Sequence, residues 1–192
     1  MDTLLTLVSI ALTAGSLAGS PAIRDIDGRL HRPFEAADQL SVLLFVTSDC
    51  PIANGYAPEI QSVCAAYASR GVRCLLLYED ARIDPAAVRI HLDAYRYTGV
   101  AAAVDGDRAI ARAASASITP EAVVVDRAGT IRYRGRIDNL YADLGRRRHS
   151  VTVHDLRNAI DAVLSGRPVV TTRTEALGCY IPPQLPRSED SR

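Results

Sequence analysis

The chain has 192 residues, 48% of them hydrophobic, enough for one ordinary domain with a sizeable core plus extensions. Its 22 acidic residues are matched by 22 basic ones, all arginine, so no basic field points to nucleic acid, and thiol-bearing proteins or small molecules fit better as partners. Four cysteines, Cys50, Cys64, Cys74 and Cys179, are too few and scattered for a disulfide scaffold, and no two stand at metal-site spacing, which argues against structural zinc.

In chain order, Leu4 to Gly19 is an apolar stretch ending in small residues before Ser20-Pro21. Its length suits a secretory h-region better than a membrane span, so residues 1–20 are expected to be a signal peptide. The alternative is an N-terminal helix or anchor, which would give transient membrane association. Asp27-Gly28 reads as the turn of a short hairpin within Ala22 to Pro33. Ser41 to Thr47 is a buried strand. Apolar positions Ile52, Tyr56, Ile60, Val63, Cys64 and Tyr67 then mark one helix running to Gly71, kinked at Pro58.

Val72 to Tyr78 is a second strand, and Asp84-Pro85 starts a helix with the stripe Val88, Leu92 and Tyr95. Gly99 to Val104 is a third strand, and Asp107 is expected to cap a short helix carrying Ile110, Ala111 and Ala114. Glu121 to Asp126 and Thr130 to Arg136 flank Arg127-Ala128-Gly129 as a hairpin. Thr152 is expected to cap a last helix with the stripe Val153, Leu156, Ile160 and Val163, closed at Gly166. Pro168 to Thr174 is β-prone and leads to a proline-rich tail containing Cys179. The pattern predicts an α/β fold with a central mixed sheet flanked by helices, an N-terminal hairpin, a domain over residues 22–166 and a C-terminal extension over residues 167–192.

The chemistry-bearing stretch is Thr47-Ser48-Asp49-Cys50-Pro51-Ile52-Ala53-Asn54, where a strand stops and a helix begins at a cysteine. Unpaired N–H groups and partial positive charge in a first helical turn stabilise a thiolate, so Cys50 is the candidate nucleophile. Asp49 opposes that charge unless it faces solvent, accepts a proton or caps the helix. Arg134 and Arg136 are candidates for compensating charge. No phosphate-binding glycine loop or nucleophile-elbow serine is present, and the scattered histidines His31, His91, His149 and His154 give no metal or cofactor set.

With Cys50-Pro51 at a helix start, Pro58-Glu59 further along, and Thr119-Pro120 before a strand ending in Asp126 with a turn at Gly129, residues 22 to 165 resemble the thioredoxin superfamily. They are most similar to its redoxin branch, the alkyl hydroperoxide reductase and thiol-specific antioxidant-like proteins. The resemblance implies a thioredoxin-like fold and a cis bond before Pro120, with Thr47, Pro51, Thr119 and Pro120 facing substrate. It departs from the family's Cys-x-x-Cys motif, because Ala53 holds the second cysteine's place, and leaves a one-cysteine loop. Thr47 keeps the peroxiredoxin spacing to Cys50, while Leu43 replaces the proline that opens that motif.

A single loop cysteine needs a second sulfur to resolve its mixed disulfide or sulfenic acid. Cys64 and Cys74 lie in apolar surroundings and are expected to be core residues. Cys179 lies on a mobile-looking tail, and some redoxin-like proteins are similar in a Gly-Cys-x-Ile tail. On that resemblance Cys179 is the resolving candidate, with an unpartnered tail cysteine as the alternative. The resemblance therefore implies an exported or periplasmic thiol-disulfide oxidoreductase that exchanges with protein thiols or disulfides and an external reductant. A peroxiredoxin-like peroxidase using Cys50 on small peroxides, a non-catalytic binding module and a cytoplasmic location remain as alternatives.

Overall fold

A computed structural model of the protein describes residues 19–80 and 82–181. The expected signal segment, but for Gly19 and Ser20, lies outside them. No helix of the described residues is long and apolar enough to cross a membrane.

Strands β1 (Ile23–Arg24) and β2 (Leu30–His31) form the expected hairpin, held by Asp25, which accepts from the Asp27 and Arg29 amides and meets His31 Nε2 at 2.7 Å. Next come β3 (Leu40–Val46), α1 (Pro51–Gly55), α2 (Ala57–Ala68), β4 (Val72–Tyr78), α3 (Pro85–Ala94), β5 (Ala101–Val104) and α4 (Ala109–Ala114). They are followed by β6 (Ile118–Thr119), β7 (Glu121–Val125), β8 (Ile131–Gly135), β9 (Tyr141–Asp143), β10 (Arg146–Arg147), α5 (Asp155–Leu164) and β11 (Cys179–Tyr180).

The main sheet has the order β5-β4-β3-β7-β8, with β3, β4 and β5 parallel and β7 and β8 antiparallel. Central β3 and β4 are near-continuous apolar runs because both their faces are covered. Alternate residues divide the core. Val42, Leu44, Val46, Leu76 and Tyr78 pack with Tyr56, Ile60, Val63 and Tyr67 of the α1–α2 segment and with Leu156 and Ile160 of α5. Leu43, Phe45, Leu75 and Leu77 pack on the opposite face with Ile110, Ala111 and Ala114 of α4. This is the α/β architecture predicted, a mixed sheet flanked by helices.

Several local expectations are corrected. The helix after Cys50 is interrupted at Tyr56, which closes α1 and opens α2, so Pro58 stands in the first turn of a separate helix. Proline cannot donate to the carbonyl four residues back and its ring crowds that carbonyl, which explains a break just before it. Asp107 supports α4 through the Ala109 amide, but Asp105 takes the Ile110 and Ala111 amides and is the chief cap. Tyr95 is exposed and lies against His91 rather than in the core. Thr152 does not cap α5: its hydroxyl accepts from Asn139, and the helix begins at Asp155 after His154. Residues 168–174 form no strand and join β8 through a parallel bridge from Arg173 to Arg134, and Thr174 Oγ1 accepts the Arg136 amide just beyond it, with Val170 fully exposed. Cys64 and Cys74 are buried, but they are joined in a disulfide between α2 and β4 with Cα atoms 5.8 Å apart. The tail is docked rather than loose, because β11 pairs antiparallel with β6.

Candidate active site

The site lies at the C-terminal end of β3, where the chain leaves the sheet at Thr47 and enters α1 four residues later. Cys50 is the N-cap of α1 in extended conformation, and its sulfur accepts the Ala53 amide at 3.5 Å. Pro51 follows at the first helical position, exposed, where its missing N–H costs nothing. Asp49 is exposed and does not cap the helix, since Cys50 holds that position.

The loop is braced from below. The Ser48 amide donates to Asp80 at 2.9 Å, and Asn54 Nδ2 donates to the Ser48 carbonyl at 2.9 Å. Asn54 Oδ1 is then the acceptor facing His91 Nε2 at 2.9 Å, so that nitrogen carries the proton. Neutral His91 accepts at Nδ1 from the Tyr78 hydroxyl at 2.8 Å. Burial holds the His91 pKa below its ordinary value despite the nearby Asp80 carboxylate, consistent with this neutral form. One helical turn after Cys50, Asn54 thus ties the active loop to β4 and α3. The α1–α2 junction is held similarly, with the Tyr56 hydroxyl donating to Asp138 Oδ1 at 2.8 Å and its ring against Tyr141.

The facing wall is β6. The Thr119-Pro120 peptide is cis, and both residues are buried. The Cys50 thiol donates to the Thr119 carbonyl at 3.2 Å. Thr119 Oγ1 donates to the Cys179 carbonyl at 3.3 Å, so in its 3.3 Å contact with Thr47 the Thr47 hydroxyl is the donor. Thr47 therefore serves the Thr119 wall. Strand β11 lies against β6 with Cys179 opposite Thr119 and Tyr180 opposite Ile118. Gly178 makes the close approach feasible, since a Cβ there would overlap the Thr119 carbonyl oxygen.

This register places Cys179 Sγ 2.6 Å from Cys50 Sγ. Cys50 is fully buried and Cys179 partly exposed. Burial, then the adjoining Cys50, then Asp49 push the Cys179 thiol up to about 12. The two expected redox cysteines, Cys50 and Cys179, and the four expected substrate-facing residues, Thr47, Pro51, Thr119 and Pro120, stand at this one locus. Arg134 and Arg136 do not serve it: Arg134 reaches Glu121 at 3.6 Å and the Ala114 carbonyl, and Arg136 pairs with Asp155 at 2.7 Å. Cys64 and Cys74 are occupied with each other.

Sequence reasoning missed the bracing residues Asn54, Tyr78, Asp80 and His91. Asn54 alone carried a signal, its i+4 spacing from Cys50. A second polar group, Glu59, Asp138 and His154, places ligand-type atoms within 4.8 Å of one another. Its carboxylates are already engaged, Glu59 by Arg157 at 2.7 Å and Asp138 by Tyr56 and the Leu140 amide.

No protein-family model matches the chain, and no curated protein matches it in sequence. Solved structures do match. An uncharacterized conserved protein from Geobacillus kaustophilus superposes with a TM-score of 0.72 at 24% identity, over 84% of this chain and 88% of that one. A hypothetical protein from Sinorhizobium meliloti 1021 gives 0.71 at 24% identity, over 93% and 98%. A Chlorobium tepidum protein provisionally named as the thiol:disulfide interchange protein DsbE gives 0.56 at 17% identity, over 77% and 94%. The fold is thioredoxin-like.

Proposed function

We propose that this chain uses its thioredoxin-like fold as an exported thiol-disulfide oxidoreductase, with Cys50 and Cys179 as the redox pair. The observation that carries this reading is the 2.6 Å between the two sulfurs, against a disulfide bond of about 2.05 Å. Closing the remaining gap takes a shift of about half an ångström between the sulfurs. When the Cys50–Cys179 bond forms, the two thiols give up two electrons and two protons to an external disulfide, which leaves as two thiols. An external dithiol reverses the step.

Protein thiols and disulfides are the partner class, and the paired reductant is another dithiol. The one-cysteine loop matches the redoxin branch, with the second sulfur brought by the tail. Thr47, which keeps the peroxiredoxin spacing to Cys50, donates its hydroxyl hydrogen bond to Thr119, which favours disulfide exchange over peroxide reduction. Export is supported by the buried Cys64–Cys74 disulfide, a kind of bond that persists in oxidising compartments.

Non-reducing peptide mapping after diamide oxidation tests the pair and is expected to return a Cys50–Cys179 linkage. Insulin reduction and peroxide consumption, on wild type and Cys50→Ser, test the activity. Peroxide turnover outpacing insulin reduction would replace this reading with a peroxidase, and no Cys50-dependent activity in either assay would leave a binding module.

A further inference from the structure

We propose that β11 is a built-in occupant of the strand-pairing edge at Thr119, and that outside thiols attack the oxidised pair at Cys179 rather than at Cys50. This rests on the Cys50–Cys179 reading and adds the point of attack and what the tail must do during exchange.

The first support is occupancy. A client presenting a cysteine in an extended segment would reach Cys50 along the Thr119 edge, as strands add to free sheet edges elsewhere. Here that edge is taken: Cys179 pairs with Thr119, the Thr119 hydroxyl donates to the Cys179 carbonyl, and the Ile181 amide donates to Ser117 at 3.0 Å. The residue before the cysteine is a glycine pressed on the Thr119 carbonyl. The tail presents itself as a client would.

Access is the second. Cys50 has no exposed surface, whereas Cys179 is partly exposed beside Tyr180, which is 82% exposed. An open cleft of about 610 Å³, lined by Ser117, Ile118, Glu121, Arg173 and Tyr180 among others, runs along the same tail strand. The cleft passes Gly178 and Tyr180 on either side of Cys179, and of the two cysteines only Cys179 has surface open to solvent. The third support is the leaving group. Exchange is faster when the departing thiol has the lower pKa. With Cys179 pushed up to about 12, attack at Cys50 that expels Cys179 is the disfavoured direction.

The step is then an attack by a partner thiolate on Cys179 Sγ. A partner–Cys179 disulfide forms, the Cys50–Cys179 bond breaks, and its electron pair goes to Cys50 Sγ, which already receives the Ala53 amide. With Cys179 bonded to the partner and β11 held only by its few hydrogen bonds to the β6 segment, the two-residue strand lifts with the partner and frees the Thr119 edge. With Cys179 now carried out of its buried place beside Cys50 and Asp49, which raise its pKa in the docked tail, the partner's second thiolate attacks its own sulfur in the mixed disulfide, forms the partner's disulfide and expels Cys179 as a thiolate that takes a proton. Two electrons pass from the partner dithiol to the protein pair.

The test starts from full-length protein oxidised with diamide and mapped as Cys50–Cys179. Brief exposure to glutathione, an acid quench and peptide mapping then locate the mixed disulfide. The adduct is expected on Cys179 in about tenfold excess over Cys50, and an adduct mainly on Cys50 would overturn the proposal while leaving the redox pair intact. Absence of any Cys50–Cys179 linkage would overturn the redox pair itself, and the step at Cys179 with it. Cover by the tail is read separately with Ellman's reagent on two full-length variants. Cys50 in Gly178→Val/Cys179→Ser should react about tenfold faster than in Cys179→Ser, because the valine side chain dislodges β11. Equal rates would overturn the tail's role.

Discussion

The protein holds two cysteine pairs in contrasting settings. Cys64 and Cys74 are 10 residues apart in sequence and join a twelve-residue helix to a central strand. Cys50 and Cys179 are 129 residues apart and meet where a helix start faces a two-residue strand at the edge of the site. Both pairs bring sulfur to sulfur. The difference lies in what each sulfur is anchored to: helix α2 and strand β4 are locked by core packing on both sides, while β11 is held by a few hydrogen bonds and the sulfur contact. A pair whose segments cannot separate is structural, and one with a detachable segment is suited to exchange.

Removing each pair tests this contrast most directly. Cys50→Ser or Cys179→Ser should each lower insulin reduction by about a hundredfold or more, whereas Cys64→Ala/Cys74→Ala should stay within about threefold of wild type. Equal losses from both pairs would erase the distinction. The second effect runs the other way. Losing the Cys64–Cys74 bond, which closes a short loop, should cost roughly 2–3 kcal/mol in urea unfolding, and with Cys50 and Cys179 held as thiols, losing either of those sulfurs should cost well under that.

A smaller effect should follow from Gly178→Ala, which leaves all four sulfurs in place. Its Cβ meets the Thr119 carbonyl, so β11 must shift, and Cys50–Cys179 formation under diamide should slow by about tenfold while the Cys64–Cys74 bond is unaffected. Quantified non-reducing maps over time read both bonds at once.

The smallest effects concern the brace beneath Cys50. Asn54→Ala breaks the links to Ser48 and His91 and should lower exchange by about three- to fivefold, the worth of a single hydrogen bond. His91 adds a pH signature. Burial holds its folded pKa below the ordinary 6.5, so the unfolded chain binds the proton more tightly. Its contribution to stability is complete above about pH 6.5 and is lost as pH falls through the lower folded value. The urea midpoint advantage of wild type over His91→Gln should therefore shrink between about pH 7.5 and pH 5. An advantage that grew on acidification would contradict the neutral-histidine brace.

Legibility in the sequence followed the range of the forces involved. Strand β4 runs over the predicted Val72–Tyr78, and β3 lies within a residue of its expectation, because a strand buried on both faces must be an apolar run. The Asp27-Gly28 hairpin and the Asp84-Pro85 helix start were visible because turn and cap chemistry acts over a few residues. Thr152 looked like a cap by the same logic and is not one, since Asn139, thirteen residues upstream, takes its hydroxyl. Pro58 was legible as a disturbance, but only packing decided that it would follow a break at Tyr56.

Local chemistry, then, was written in the chain: a cysteine at a helix start, a proline after Thr119, and Ala53 where a second loop cysteine would stand. The partner of Cys50 was named only through the resemblance, as Cys179 with an unpartnered tail cysteine as the alternative, because contact across 129 residues depends on the whole sheet bringing β6 beside α1 and on a tail docked against β6. Tertiary structure also paired Cys64 with Cys74, which sequence reasoning treated as two separate core residues, and so left Cys179 as the sulfur facing Cys50. A side chain's identity limits what it can react with, and the fold decides what it meets.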